Sequence, residues 1–231
     1  MKYYRKISIS IFFFCILFAD LKIENKNILK VLYEDNYWDL KKITEDSLYI
    51  YSKNVKGMDL VAFRVNKKVS IDPMEIINVI SDIENYENFI TNSGSLKTEK
   101  ISQLNGALDV YQHITIDIPF FSNRDYFYRM IANKEALHNN KLIEWHLLEL
   151  EDIIDRDFKK DPNATYLQYG AGMWLSVPLE NGVFDISYRL VMDPGGYIPD
   201  ILVEILNEVA LVNLFKDVLK EATFRTNKSY R

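Results

Sequence analysis

Three histidines, one cysteine and 33 acidic side chains are the groups of this 231-residue chain that could perform acid–base, nucleophilic or metal chemistry. His113 and His146 fall in runs of alternating apolar character, and His138 in a polar loop. No carboxylate or hydroxyl stands at a spacing from them that would mark a catalytic triad or a metal cluster, and neither G-x-S-x-G nor H-E-x-x-H occurs. With so many acids, a close carboxylate pair is expected by chance and carries no signal. The reading at this level is a non-enzyme without metal or cofactor. Side chains able to hold a ligand make a better case. Arg64 and Arg124 are candidate anchors for an anionic group. A solvent-facing arginine is the alternative at 64, and an Arg124–Asp125 ion pair fixing the bend after Pro119 is the alternative at 124. Trp145, Tyr166, Tyr169, Trp174, Phe184 and Tyr188 crowd the later part of the chain. Packing is the default expectation for them, with a cation–π box for a quaternary amine as the functional alternative. Strand alternation sets Tyr166 and Trp174 on one face and Tyr169 with Met173 on the other, without deciding which set lines an interior.

The elements that must position these groups are mostly strands. Residues 38–44, 48–53 and 60–69 carry strand signals, the last two by clear alternation, and suit a three-strand antiparallel start. The period then changes: Asp72 and Pro73 open a helix over 70–80, with Met74, Ile77 and Ile80 on one face. Strands resume at 96–104 and 108–118, joined by Asn105-Gly106, a strong hairpin signal. Further strands are expected at 126–132, 141–150, 164–177 and 183–191. The Asp193-Pro194-Gly195-Gly196 run stops the sheet with turn residues, and Pro199 and Asp200 open the longest helix, over 199–223.

That last helix has no single polar face. Glu204, Asn207 and Glu208 share one side of its first half, Asn213, Lys216, Asp217 and Lys220 lie largely opposite in its second, and 209–212 is apolar all round. Such a helix is buried on more than one side or faces something other than water. It is read either as a core helix or as a lid, and Ile201, Ile205, Val209 and Val212 are its candidate ligand contacts.

Ahead of these elements, Lys2, Arg5 and Lys6 precede an apolar run from Ile7 to Phe18, shorter than the roughly 20 residues that span a bilayer. Residues 1–19 therefore read as a signal peptide cleaved after Ala19, with an uncleaved anchor as the alternative, and 20–36 as a lead-in with a short helix. Cys15, the sole cysteine, lies inside that segment; Phe13 and Phe14 before it argue against lipidation. The mature chain would have no thiol, which suits a periplasmic or secreted protein. It would also keep 25 basic residues against 33 acidic ones, a formal charge of −8 rather than −5. Nucleic acid and constitutive adhesion to anionic membranes are excluded as average properties of such a chain.

Two motifs carry a family resemblance. Pro119-Phe120-Phe121-Ser122-Asn123-Arg124-Asp125-Tyr126 resembles the P-x-x-S-N-R-D-[FY] signature of START domains, particularly those similar to phosphatidylcholine transfer protein. Asp193-Pro194-Gly195-Gly196-Tyr197-Ile198-Pro199 resembles the D/N-P-G-G-x-I-P run before their last helix. Trp38, Tyr49, Tyr51 and Asp82 add weaker similarities. The resemblance implies an α+β helix-grip fold over residues 37–225, a curved antiparallel sheet wrapped around the C-terminal helix, with 226–231 as a tail. It also implies an internal cavity for a lipid or other hydrophobic molecule, gated by that helix, in a monomer that touches membranes transiently. The cavity candidates are then Arg64, His113, Arg124, Trp145, Tyr169, Trp174 and Tyr188 with the four helix residues. A cyclase- or hydrolase-like enzyme of the same superfamily, or a partner-binding domain with a filled core, are the alternatives. The family's phosphatidylcholine headgroup site does not carry over residue by residue, and 151–160 is unusually acidic.

Overall fold

Alternation builds the sheet. Within residues 61–69, Phe63 and Val65 bury toward one side while Ala62 buries toward the other, the two-residue period of an extended chain. The computed structural model describes residues 25–91, 93–117, 119, 121–132, 140–153, 161–195 and 200–229, with side chains for all of these except 26, 93, 200–209 and 229. The expected signal peptide at 1–19 lies outside the described residues. Among them are ten strands: β1 (Asp39–Ile43), β2 (Tyr49–Asn54), β3 (Val61–Val69), β4 (Leu96–Leu104), β5 (Ala107–Ile114), β6 (Arg124–Ala132), β7 (Lys141–Leu147), β8 (Thr165–Tyr166), β9 (Gly170–Pro178) and β10 (Phe184–Met192). Four helices accompany them: α1 (Asn25–Tyr33), α2 (Pro73–Ser81), α3 (Tyr86–Phe89) and α4 (Asp200–Ser229). The sheet is curved and unclosed, in the antiparallel order β1-β2-β3-β10-β9-β7-β6-β5-β4, with β8 adding a short parallel pairing to β6.

Local chemistry sets the corners. Asn105 and Gly106 both adopt positive φ, 52° and 80°, as a two-residue hairpin turn between β4 and β5 requires. Asp72 caps α2 by accepting the N–H of Met74 at 2.8 Å, and Pro73 occupies the first turn. Helices cover both faces of the sheet. On the convex side Ile28, Leu29 and Leu32 of α1 pack on Ala62, Ala171 and Met173, whose two alanines let the helix approach. On the concave side lies the main core. There Ile76, Ile77, Val79 and Ile80 of α2 join Leu211, Phe215, Val218, Leu219 and Ala222 of α4 against the inward residues of the strands.

The structure makes α1 more than a lead-in. The last carbonyls of a helix lack partners, and two buried cations supply them here. Lys53 Nζ donates to Val31 O at 3.0 Å, and Arg189 Nη1 donates to Leu32 O at 2.6 Å. Both cations lie over the Trp38 ring, at 5.5 and 5.8 Å from its centre.

Strand β7 ends at Leu147 rather than 150 and β6 begins at Arg124 rather than 126, and three further differences from the sequence reading have a visible cause. Residues 164–177, expected as one strand, form β8 and β9 with a break between them. Asn25 occupies the break: its amide donates to Gln168 O at 2.7 Å and to Leu147 O at 3.1 Å, while its oxygen accepts the N–H of Gly170 at 2.9 Å. A side chain far away in sequence thus replaces ladder bonds. β5 ends at Ile114 rather than 118, because Asn123 Oδ1 takes the N–H of Ile116 at 3.1 Å and draws the chain aside. α4 runs on to Ser229, past 223 and through most of the segment expected as a tail. Arg225 holds this extension, donating to Asp82 and Glu221 at 2.8 Å each.

Candidate functional site

The concave wall of the sheet is aromatic and almost uncharged. Trp174 lies between Tyr188 and Phe215, stacked on them at centroid distances of 4.5 and 5.5 Å. Burying a ring such as Phe215 contributes about 1.5–3 kcal/mol, so these contacts fix the second half of α4 to the strands beneath. Beside them Tyr128 meets Tyr126 at 6.1 Å and Trp145 at 5.8 Å. Trp145 in turn lies over Gly172, where an added Cβ would come within 2.6 Å of the indole. Tyr86, at the start of α3, completes a group of four buried phenols with Tyr126, Tyr128 and Tyr188. Burial holds all four well above the ordinary phenol range; proximity to the other phenols raises Tyr86, Tyr126 and Tyr128 further, while the hydrogen bond from Trp145 offsets part of the rise at Tyr188. They remain neutral hydroxyls. Tyr86 donates to Ile80 O at 2.6 Å, Tyr126 donates to Gln112 Oε1, and Tyr188 accepts from the Trp145 indole.

At the end of this wall stands Arg124, 5% exposed. Its Nε donates to Pro194 O at 2.7 Å, its Nη2 to Gly195 O at 3.1 Å, and its Nη1 to Ser122 O. Arg124 is therefore a clamp between β6 and the turn that leads toward α4. No carboxylate pairs with it among the described residues, and burial pulls its pKa down from the guanidinium value. The expected Arg124–Asp125 ion pair does not form, because adjacent strand residues point to opposite faces. Asp125 turns to the convex side. There it pairs with His113 Nδ1 at 2.6 Å, accepts the N–H of Asp161 at 2.8 Å and receives a hydrogen bond from Tyr111.

The candidates named from sequence thus separate by face. Trp145, Trp174, Tyr188 and Arg124 come together on the concave side, where Val212 of α4 is half-buried against the main core. Arg64, Tyr169 and His113 lie on the convex side. Arg64 approaches Asp35 at 3.8 Å and covers the Tyr51 ring at 5.1 Å, and Tyr169 packs in the cluster under α1. The side chains of Ile201, Ile205 and Val209 lie outside the described residues. Tyr166 does not share the face of Trp174 as alternation suggested, since the break before β9 interrupts the period. It packs with Tyr111 and Phe127 instead, and burial pushes its phenol up to about 12. Sequence reasoning missed Tyr86, Tyr128 and Phe215. Tyr128 carried a usable signal: it stands four residues after Arg124 in one strand and so shares its face. A separate groove of about 510 Å³ runs between α3 and the edge strand β4, lined by Tyr86, Glu87, Asn88, Leu96, Thr98 and neighbours. It opens to solvent.

No family model and no curated protein matches this chain. Solved structures do. A STAR-related lipid transfer protein fragment from Xanthomonas axonopodis superposes with a TM-score of 0.65 at 20% identity, over 81% of this chain and 99% of that one. Human STARD10 gives a TM-score of 0.65 at 14% identity over 87% and 80%. The Zhui aromatase/cyclase from Streptomyces sp. R1128 gives 0.53 at 14% over 72% and 96%. The architecture is a helix-grip fold, an open antiparallel sheet curving about a long C-terminal helix. Specifically, it is the helix-grip fold of START domains, shared by proteins named for lipid transfer and by one named as an aromatase/cyclase.

Proposed function

We propose that this chain binds a lipid or another hydrophobic ligand by enclosing it between the concave face of the sheet and α4, and that it carries the ligand rather than transforming it. The observation that supports this most is the wall itself. Among the described residues, Arg124 is the one charged side chain buried in the concave face of the strands, and its donors reach backbone carbonyls. Such a surface gains free energy by covering apolar area, about 25 cal/mol per Å². The His113–Asp125 pair, which could move a proton, lies on the opposite face. In this reading α4 is the gate, because a ligand wider than the entrance passes only when the helix shifts. The basic and apolar segment at 1–19 supports export to the periplasm or exterior, and no helix among the described residues is long and apolar enough to cross a membrane.

Native mass spectrometry of the chain purified from its own host without detergent tests the proposal. A stoichiometric adduct that solvent extracts as lipid is the expected result. A chain that arrives empty and takes up nothing from phosphatidylcholine liposomes would overturn it.

A further inference from the structure

The groove between α3 and β4, about 510 Å³, lies where the concave wall meets solvent. Its inner residues belong to that wall. Ile83 and Tyr86 are part of the main core, and Leu96 and Thr98 stand on the concave face of β4, opposite Ile114 and Gln112 of β5. The volume is that of a small-molecule site. A hydrogen-bond chain reaches it from the buried wall: Tyr126 donates to Gln112 Oε1, and Gln112 Nε2 donates to Thr98 Oγ1 at 3.1 Å. The chain has a direction. Because Oγ1 of Thr98 accepts from within, the proton of this hydroxyl is what it offers to the groove.

The helical side of the groove offers acceptors instead, the carboxylates of Glu84 and Glu87. Among the described residues that line it Lys97 is the one cation, and Lys97 pairs with Glu99. A phosphate or carboxylate seated there would meet two like charges. An ammonium could donate to the carboxylates but has no lone pair to accept from Thr98, whereas a hydroxyl does both. We propose that the groove seats the polar end of the enclosed ligand and that this end is uncharged and carries hydroxyls. They accept from Thr98 and donate to Glu84 and Glu87, while the apolar part lies on the aromatic wall beyond Tyr86. The inference rests on the enclosure proposed above.

The test compares 1-parinaroyl-glycerol with its 3-phosphate, each titrated at neutral pH into the full chain below the concentration at which the probe aggregates. Energy transfer from tryptophan reports binding. The uncharged probe should bind at least about tenfold more tightly. Thr98→Val, which keeps the shape, should weaken it about fivefold, the size of one hydrogen bond. Glu84→Lys, at an exposed position, should narrow the gap between the probes about threefold by favouring the phosphate. Equal or tighter binding of the phosphate by the unaltered chain overturns the inference and leaves enclosure standing. So does a gap that Glu84→Lys leaves unchanged, or an affinity for the uncharged probe indifferent to Thr98→Val in a variant whose circular dichroism is unaltered. Should Thr98→Val not fold, Glu84→Lys decides. Binding of neither probe by a chain that does take up phosphatidylcholine from liposomes overturns the inference alone; uptake of none of the three overturns enclosure itself.

Discussion

Arg124 joins β6 to a turn 70 residues further along the chain, and does so through backbone carbonyls rather than a carboxylate. The geometry explains why Ser-Asn-Arg-Asp and Asp-Pro-Gly-Gly occur in one sequence: one supplies the donor fork and the other the acceptors. Each motif was legible separately; their bond was not, since a carbonyl partner leaves no mark in residue type. Arg124→Met should leave those carbonyls unpaired and cost about 3 kcal/mol in urea unfolding. Hydrogen exchange should rise first at 193–195. Unchanged exchange there would show that the clamp does not hold the turn. Gly172 gives a second expectation. A methyl group at that position meets the Trp145 indole at 2.6 Å, so Gly172→Ala should cost about 1–3 kcal/mol through overpacking and shift the tryptophan emission.

At the scale of elements, the strands, α2 and the Asn-Gly turn were readable because period and turn chemistry are local. What failed were boundaries decided at a distance. The break between β8 and β9 depends on Asn25, and the added turns of α4 depend on Asp82, a residue after α2. The role of α1 was equally hidden, because its anchors Lys53 and Arg189 lie in β2 and β10. Arg189→Met should therefore loosen α1 selectively. Faster amide exchange over 25–33, with α2 and the second half of α4 unaffected, is the expected pattern. Uniform acceleration would mean that α1 unfolds only with the whole domain.

For the molecule as a whole, the division into two faces decides both stability and function, and pH exposes it. The phenols of Tyr86, Tyr126, Tyr128 and Tyr188 are raised by burial above the unfolded value of 10. Above that pH the unfolded chain ionises while the folded chain does not, so their contribution is complete below about 10 and is lost as pH rises beyond it. Ultraviolet titration should show these four phenolates emerging together with the loss of circular dichroism. Phenolate signal from them in a folded chain would mean that the wall is wet. The sequence left open which aromatic set lines the interior, because alternation separates two faces without naming the inner one; the positions of α1 and α4 do so.

The most direct test of enclosure uses the three tryptophans, since Trp38 lies on the convex side and Trp145 and Trp174 on the concave side. A lipid carrying a doxyl quencher on its chain, bound to the protein, should extinguish Trp145 and Trp174 and spare Trp38. The residual emission should then disappear in Trp38→Phe. Quenching confined to Trp38, or none at saturating lipid, would contradict a ligand held between the sheet and α4.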